Sequence, residues 1–192
     1  MTLRVVIMAR WPEPGRCKTR LIPAVGPEGA ARVHRLLAEK TVSVVRASGL
    51  NFELWGTGAP ETDFVSWLGS HTYKGQPDGD LGAKLEAASE PYPVLFLGTD
   101  APDLTPELLL DAEKALGTTD CVIGPAEDGG YWTLGLRGPC PDIFSDISWG
   151  TEAVFAQTMT RIRAAGRRAY VLPELADLDR PEDLSRWPEY QR

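Results

Sequence analysis

Cysteine and histidine are scarce in this 192-residue chain, and their placing removes several classes of chemistry at once. The three cysteines, Cys17, Cys121 and Cys140, stand far apart with no CxxC spacing. This argues against a disulfide framework and for free thiols in a reducing compartment. His34 and His71 have no partners at metal-ligand spacing and read as structural, and no Ser-His-Asp or Cys-His arrangement can be argued, so nucleophilic catalysis has little support. No apolar run approaches the ~20 residues needed to cross a bilayer. The opening "LRVVIMA" is too short for a signal segment with its cleavage site, which leads to the expectation of a cytoplasmic protein without membrane partners. Basic excess is also lacking: 27 acids against 20 Lys and Arg give a net charge of -7. A phosphate backbone rewards a basic face, so broad nucleic-acid binding is excluded and any anion must be held locally. With no repeat, low-complexity tract or linker, the expectation is one domain over residues 1–192.

What is present is an alternation of strands and helices. Leu3 to Ala9 is a continuous, β-branched run, as expected of a strand buried on both faces. A helix is predicted from Pro27 to a stop at Gly49, with Val33, Leu36, Leu37, Val44 and Val45 near helical spacing. Next come a strand in "LNFELWGTG", a short helix capped by Thr62 or Asp63, and a helix opened by Asp78 or Asp80. "YPVLFLGTD" reads as a second buried strand ending at Asp100, followed by a helix with Thr105 as cap, Pro106 first and Gly117 as stop. "DCVIGPA" and "YWTLGLR" flank the turn "EDGGY" as a hairpin or a bent edge. A last long helix capped by Thr151, the strand "AYVLPE" and a short helix near Pro181 complete the chain. Such alternation implies an α/β fold with a mostly parallel sheet covered on both faces.

In open α/β sheets, ligands bind outside the carboxyl ends of the strands. The first loop, Arg10 to Gly26, is shaped by Pro12, Pro14 and Gly15 and concentrates Arg16, Lys18 and Arg20 in an acidic protein. Lys18 and Arg20 would point the same way if the backbone were extended there, and both suit phosphate oxygens. The alternative is a solvated basic loop. Asp100 at a strand end is the first choice for holding Mg²⁺ together with phosphate oxygens and water, and its alternative role is a turn or cap before Pro102. Asp103 reads as turn chemistry. Glu127 and Asp128 could bind a sugar hydroxyl or a metal, beside Gly129 and Gly130, which permit close backbone approach. Asp177 or Asp179 could complete a metal site, or simply form an acidic loop. Trp149 reads as a core residue, with stacking on a ligand as its alternative.

As an ordered set, "PEPGRCKTRL", "QPDGDLGAKL", "FLGTDAPDL", "GPAEDGGYWTLGL", "ISWGTEAVF" and "LADLDRPEDL" resemble a bacterial family classed as glycosyltransferases within the nucleotide-diphospho-sugar transferase superfamily. That family was long held as a domain of unknown function, with some members linked to arsenosugar biosynthesis. The resemblance implies a GT-A-like, Rossmann-like three-layer sandwich, dependence on Mg²⁺ or Mn²⁺, and small-molecule nucleotide and acceptor substrates. It implies that Lys18 and Arg20 meet nucleotide phosphates, with Arg10 and Gly15 in the same loop. Gln76, Gly79, Asp80 and Gly82 would lie near the nucleoside, and Gly129 and Gly130 beside the transferred group. Asp100 and Asp179 would hold the metal, and Asp128 or Glu127 would act as base. One departure stands out. Many GT-A enzymes carry a DxD motif, whereas this chain has Gly98-Thr99-Asp100, and "GRCKTRL" looks like the first loop of nucleotidyltransferases. Three functions follow: glycosyl transfer from a nucleotide-sugar, nucleotidyl transfer with pyrophosphate release, or nucleotide binding without turnover.

Overall fold

In the computed structural model, which describes residues 2–191, seven strands form one sheet. They are β1 (Arg4–Arg10), β2 (Asn51–Thr57), β3 (Thr72–Gly75), β4 (Val94–Leu97), β5 (Cys121–Pro125), β6 (Tyr131–Leu136) and β7 (Ala169–Val171), in the spatial order β3-β2-β1-β4-β6-β5-β7. Five helices accompany them: α1 (Ile22–Ser48), α2 (Glu61–Leu68), α3 (Leu81–Ala87), α4 (Pro106–Leu116) and α5 (Val154–Ala164). All pairings are parallel except those of β6, which runs antiparallel to both β4 and β5. The sheet is thus mostly parallel, as the alternation implied.

The two-fold period of β1 sorts its side chains into two cores. Val5 and Ile7 pack with Val42 and Val45 of α1, Phe64 of α2 and Leu109 of α4. Val6 points the other way, toward Leu85 of α3 and Ile162 of α5. Because both faces are covered, Val5, Val6 and Ile7 are all fully buried, and the strand reads as an unbroken apolar run.

Several boundaries differ from the sequence expectation for local reasons. Gly26 (φ 71°) breaks the first turn of α1, so the main helix does start at Pro27, but Ile22 to Val25 form an added turn before it. The stop at Gly49 is as expected, in the left-handed conformation (φ 75°). Pro60 occupies the N-cap of α2, which places Thr62 and Asp63 inside its first turn. Asp80 caps α3 by accepting the Ala83 N–H (2.9 Å), and Thr105 caps α4. Thr151 lies two residues before the N-cap of α5, accepting from Ala153 N and donating to the Ser148 carbonyl. The strand β3 has no counterpart in the sequence reading, because an exposed four-residue edge strand, "TYKG", shows little alternation. "EDGGY" is a hairpin turn, and insertion of β6 between β4 and β5 brings this turn to the carboxyl end of β4.

The chain closes with 3-10 turns at Pro181–Ser185 and Pro188–Gln191. Leu178, Leu184, Trp187 and Tyr190 pack on Leu21, Ala30, Val33 and Leu37. The Trp187 indole donates to Asp103 (3.1 Å), and Leu178 N–H donates to the Asp100 carbonyl (2.9 Å). This strap anchors the acidic loop 175–180 beside the end of β4. Among the described residues no helix is long and apolar enough to cross a membrane.

Candidate functional site

The first loop leaves β1 through two tight turns, with Gly15 at φ 80°. Lys18 then adopts a left-handed conformation (φ 46°), uncommon for a side chain with a Cβ, and leads into the 3-10 turn Thr19–Leu21. Lys18 and Arg20 therefore reach a common target through a turn, whereas an extended backbone was the sequence expectation. Lys18 Nζ lies 2.5 Å from Asp100 Oδ1 and 3.6 Å from Asp179 Oδ1, and Arg20 Nη1 is 2.5 Å from Asp179 Oδ2. The Lys18 side chain is only 5% exposed, while that of Asp100 is 53% exposed. In this structure the ammonium is thus turned to the carboxylates beneath the cleft, and Arg20 is the cation of the pair that reaches the cleft wall. Desolvation pushes the Asp100 carboxyl up, but the Lys18 ammonium more than offsets this and holds it below the usual carboxylate range.

Beneath the loop, buried His34 donates its Nε2 proton to the Arg10 carbonyl (2.9 Å), fixing the end of β1. Burial lowers the His34 pKa, which favours the neutral ring. Its role in the structure is positional, in keeping with its lack of ligand spacing.

Above this cluster opens a cleft of about 1080 Å³ at the carboxyl ends of β4 and β5. Arg20, Asp100, Asp128, Gly129, Gly130 and Asp179, which are distant in sequence, all line it. Asp128 Oδ1 accepts the Gly130 N–H (2.8 Å) and closes the hairpin turn. Glu127 is engaged by Arg186 at 2.6 and 3.2 Å, which holds its carboxylate below the usual range and occupies both of its oxygens. Asp177 also lines the cleft, where burial first and the charge of Asp128 second push it up to about 6. The sequence offers Asp177 as a metal ligand or as part of an acidic loop. Its proximity to Asp128 arises where the loop after β7 runs beside the end of β5, with the Glu127 N–H donating to the Leu175 carbonyl (3.1 Å), and no local pattern carries that signal.

At Gly129 the need for glycine is a matter of space as well as of backbone conformation. A Cβ on Gly129 would stand 2.2 Å from the Glu152 carbonyl oxygen and 2.5 Å from its Cα, at φ 86°. The Gly129 carbonyl also accepts the Phe155 N–H (2.9 Å), so the hairpin turn is docked on the start of α5 as one lip of the cleft. Gly129→Ala is expected to lower stability by about 2–3 kcal/mol and the melting temperature by roughly 5–10 °C, through the strained backbone and the collision. Differential scanning calorimetry checks this, and an unshifted melting temperature contradicts it.

Other sequence-predicted residues lie elsewhere. Arg10 ends β1 and Gly15 turns the exposed loop, away from the cleft wall. Gln76 donates its side-chain amide to the Trp55 and Ala9 carbonyls (2.8 and 3.2 Å), tying β2 to β1. Gly79 (φ 118°) and Asp80 shape the start of α3. Gly82 is buried under Trp149, where a Cβ would meet the indole Nε1 at 2.9 Å. These residues share the strand-end edge with the cleft without lining it.

A divalent ion finds a partial donor set here. Asp100 and Asp179 converge on one positive centre, the Lys18 ammonium, and offer the hard oxygens that Mg²⁺ or Mn²⁺ prefers. Among the described residues no group of three His, Cys, Asp or Glu side chains is arranged for a metal. The two carboxylates therefore fit an ion whose remaining ligands are phosphate oxygens and water, as is common for Mg²⁺.

Residues 40–151 match the family described as "Uncharacterized protein conserved in bacteria (DUF2064)". No curated protein matches the chain. Among solved structures, a chain assigned as a nucleotide-diphospho-sugar transferase from Desulfovibrio desulfuricans G20 is 29% identical, with a TM-score of 0.89 over 98% of this chain and 88% of its own. The 4-diphosphocytidyl-2C-methyl-D-erythritol synthase of Anaerococcus prevotii shares the fold at 14% identity, covering 100% of this chain and 96% of its own (TM-score 0.63). So does the glucosyl-3-phosphoglycerate synthase of Mycobacterium tuberculosis, solved with Mn²⁺, uridine diphosphate and glucosyl-3-phosphoglycerate, at 12% identity, 95% and 74% coverage and a TM-score of 0.59. The fold is that of the nucleotide-diphospho-sugar transferases.

Proposed function

The chain belongs to the DUF2064 family, and from its cleft we propose that residues 1–192 act as a single metal-dependent transferase domain that moves a sugar from a nucleotide-sugar to a small acceptor. The observation that carries this reading is the two-part cleft: a cation and carboxylate cluster (Lys18, Asp100, Asp179, Arg20) at its floor, and a wall bearing Asp128, Gly129 and Gly130. The floor suits a diphosphate and the wall suits hydroxyls.

In this mechanism Arg20 binds the diphosphate through its guanidinium fork, and Lys18 supports the same charge from below. Asp100 and Asp179 would hold Mg²⁺ or Mn²⁺, which when bound neutralises the departing diphosphate. The acceptor oxygen forms a bond to the anomeric carbon as the bond from that carbon to the phosphate oxygen breaks. The acceptor proton passes to Asp128, whose second carboxylate oxygen is not used by the Gly130 turn. Nucleoside diphosphate is released.

Nucleotidyl transfer is the second reading, favoured by Lys18 in the first loop. There an oxygen of a substrate phosphate would bond to the α-phosphorus of a nucleoside triphosphate as the bond from that phosphorus to pyrophosphate breaks. Thermal shift with nucleotide-sugars and triphosphates, each with and without Mg²⁺, separates the two. Saturation at a hundredfold over Kd adds about 2.7 kcal/mol, roughly 5–10 °C at this chain length. A metal-dependent rise with a nucleotide-sugar is expected. A rise with triphosphates alone favours nucleotidyl transfer, and no response to any nucleotide overturns both.

A further inference from the structure

We infer that Trp149 is the stacking platform for the pyranose ring of the sugar handled in the cleft, with the carboxylates of the same cleft accepting hydrogen bonds from its hydroxyls. Trp149 is half-buried: it packs against the core that holds Leu85 and Phe144, in keeping with the core position of the sequence reading, and it also lines the cleft. Four other indoles, those of Trp55, Trp67, Trp132 and Trp187, donate their N–H to protein acceptors. The Trp149 N–H has no protein acceptor among the described residues and is not a buried atom, so it stays accessible to a hydrogen-bonding group brought into the cleft.

The ring is seated in advance. Its indole nitrogen rests over Gly82, where a Cβ would intrude at 2.9 Å. The segment carrying it is clamped by Gln157, which accepts from Ser148 N (2.7 Å) and donates to Ser148 Oγ (3.2 Å), and by Thr151, which donates to the Ser148 carbonyl (2.7 Å). Leu81, with 41% of its surface exposed, adds apolar surface to the same cleft. A rigid apolar face with little entropy left to lose is suited to stacking. Asp128, Glu152 and Asp177 line the same cleft, and such carboxylates repel a phosphate but accept hydrogen bonds from hydroxyls. A ring with one C–H face and several hydroxyls satisfies both features together.

This inference rests on the transferase reading for its donor, so its test includes sugars without any nucleotide. Wild type, Trp149→Ala and Trp149→Phe are compared by saturation-transfer NMR with methyl pyranosides of glucose, galactose and mannose, and by calorimetry with nucleoside diphosphates and their sugar esters plus Mg²⁺. Near-ultraviolet circular dichroism checks that each variant is folded, and the Phe variant keeps an aromatic face if the Ala variant is not. Ring C–H protons of at least one pyranoside are expected to receive saturation in wild type and Trp149→Phe but not in Trp149→Ala. Sugar esters are expected to bind Trp149→Ala about tenfold or more weakly, with the plain diphosphates unchanged. Equal weakening of diphosphates and sugar esters, unchanged binding in Trp149→Ala, or no saturation of any pyranoside in wild type overturns the platform. A Trp149-dependent pyranoside signal in a protein that binds no nucleotide supports the platform while removing the nucleotide-sugar donor.

Discussion

Asp100→Ala is expected to turn over at least about 10³-fold more slowly than wild type, the largest effect of any single change in the cleft. Asp100 is the one carboxylate that both opens to the cleft and directly holds the Lys18 ammonium at 2.5 Å. Its removal takes away a donor of the ion site and the nearest partner of a side chain that is only 5% exposed. Asp179 remains 3.6 Å from the same ammonium, and half of the Asp100 side chain faces the cleft, so the loss of stability is held to about 1–3 kcal/mol. Asp100→Asn preserves the shape and isolates the charge. Steady-state kinetics across Mg²⁺ and Mn²⁺ concentrations make the comparison, and a folded Asp100→Ala enzyme with wild-type turnover removes Asp100 from the site.

Lys18→Ala is expected to lower turnover about 10²- to 10³-fold, the usual consequence of losing one fixed positive group near developing charge. With the ammonium gone, Asp100 and Asp179 face each other without the cation between them. The Asp100 carboxyl then moves up, since Lys18 is what holds it down. Arg20 still binds Asp179 at 2.5 Å, so the loop keeps one of its two anchors. Lys18→Arg is not expected to restore activity, because a planar guanidinium does not fit where a compact ammonium is almost wholly enclosed. A loop that merely balances surface charge tolerates all these changes. Unaltered kcat and KM in Lys18→Ala would therefore return the basic stretch to that plainer role.

The path of the chain was legible wherever one physical rule dominates locally. The unbroken apolar run of β1 follows from burial on both faces, and the end of α1 at Gly49 from the freedom of glycine at positive φ. The α4 boundaries follow from Thr105 and Pro106, which match the chemistry of a helix start. Legibility failed where tertiary context outweighed local preference. The four residues of β3, three of them exposed, are held by pairing with β2, and α5 begins later than Thr151, which is engaged with Ser148. Arg10, Gln76, Gly79 and Asp80 were read as ligand-facing, yet Gln76 is used to join two strands and Asp80 to cap a helix. A polar side chain beside a cleft serves whichever partner it reaches, and motif spacing does not distinguish the two.

By itself, the order of strands, helices and turn residues determined the α/β class, the mostly parallel sheet and the edge at which a ligand would bind. These depend on periodicities of two and 3.6 and on turn chemistry, which short stretches of chain contain. Only the tertiary structure decided that Lys18 turns beneath the cleft to Asp100 and Asp179, that Arg186 engages Glu127, and that Asp128 and Asp177 share one cleft with Trp149. Each of these meetings joins residues far apart in sequence. They are created by the insertion of β6 between β4 and β5 and by the C-terminal strap packing on α1. Electrostatic interactions act over a few ångströms of space, so the chemistry of the site appears only once the fold has brought those side chains together.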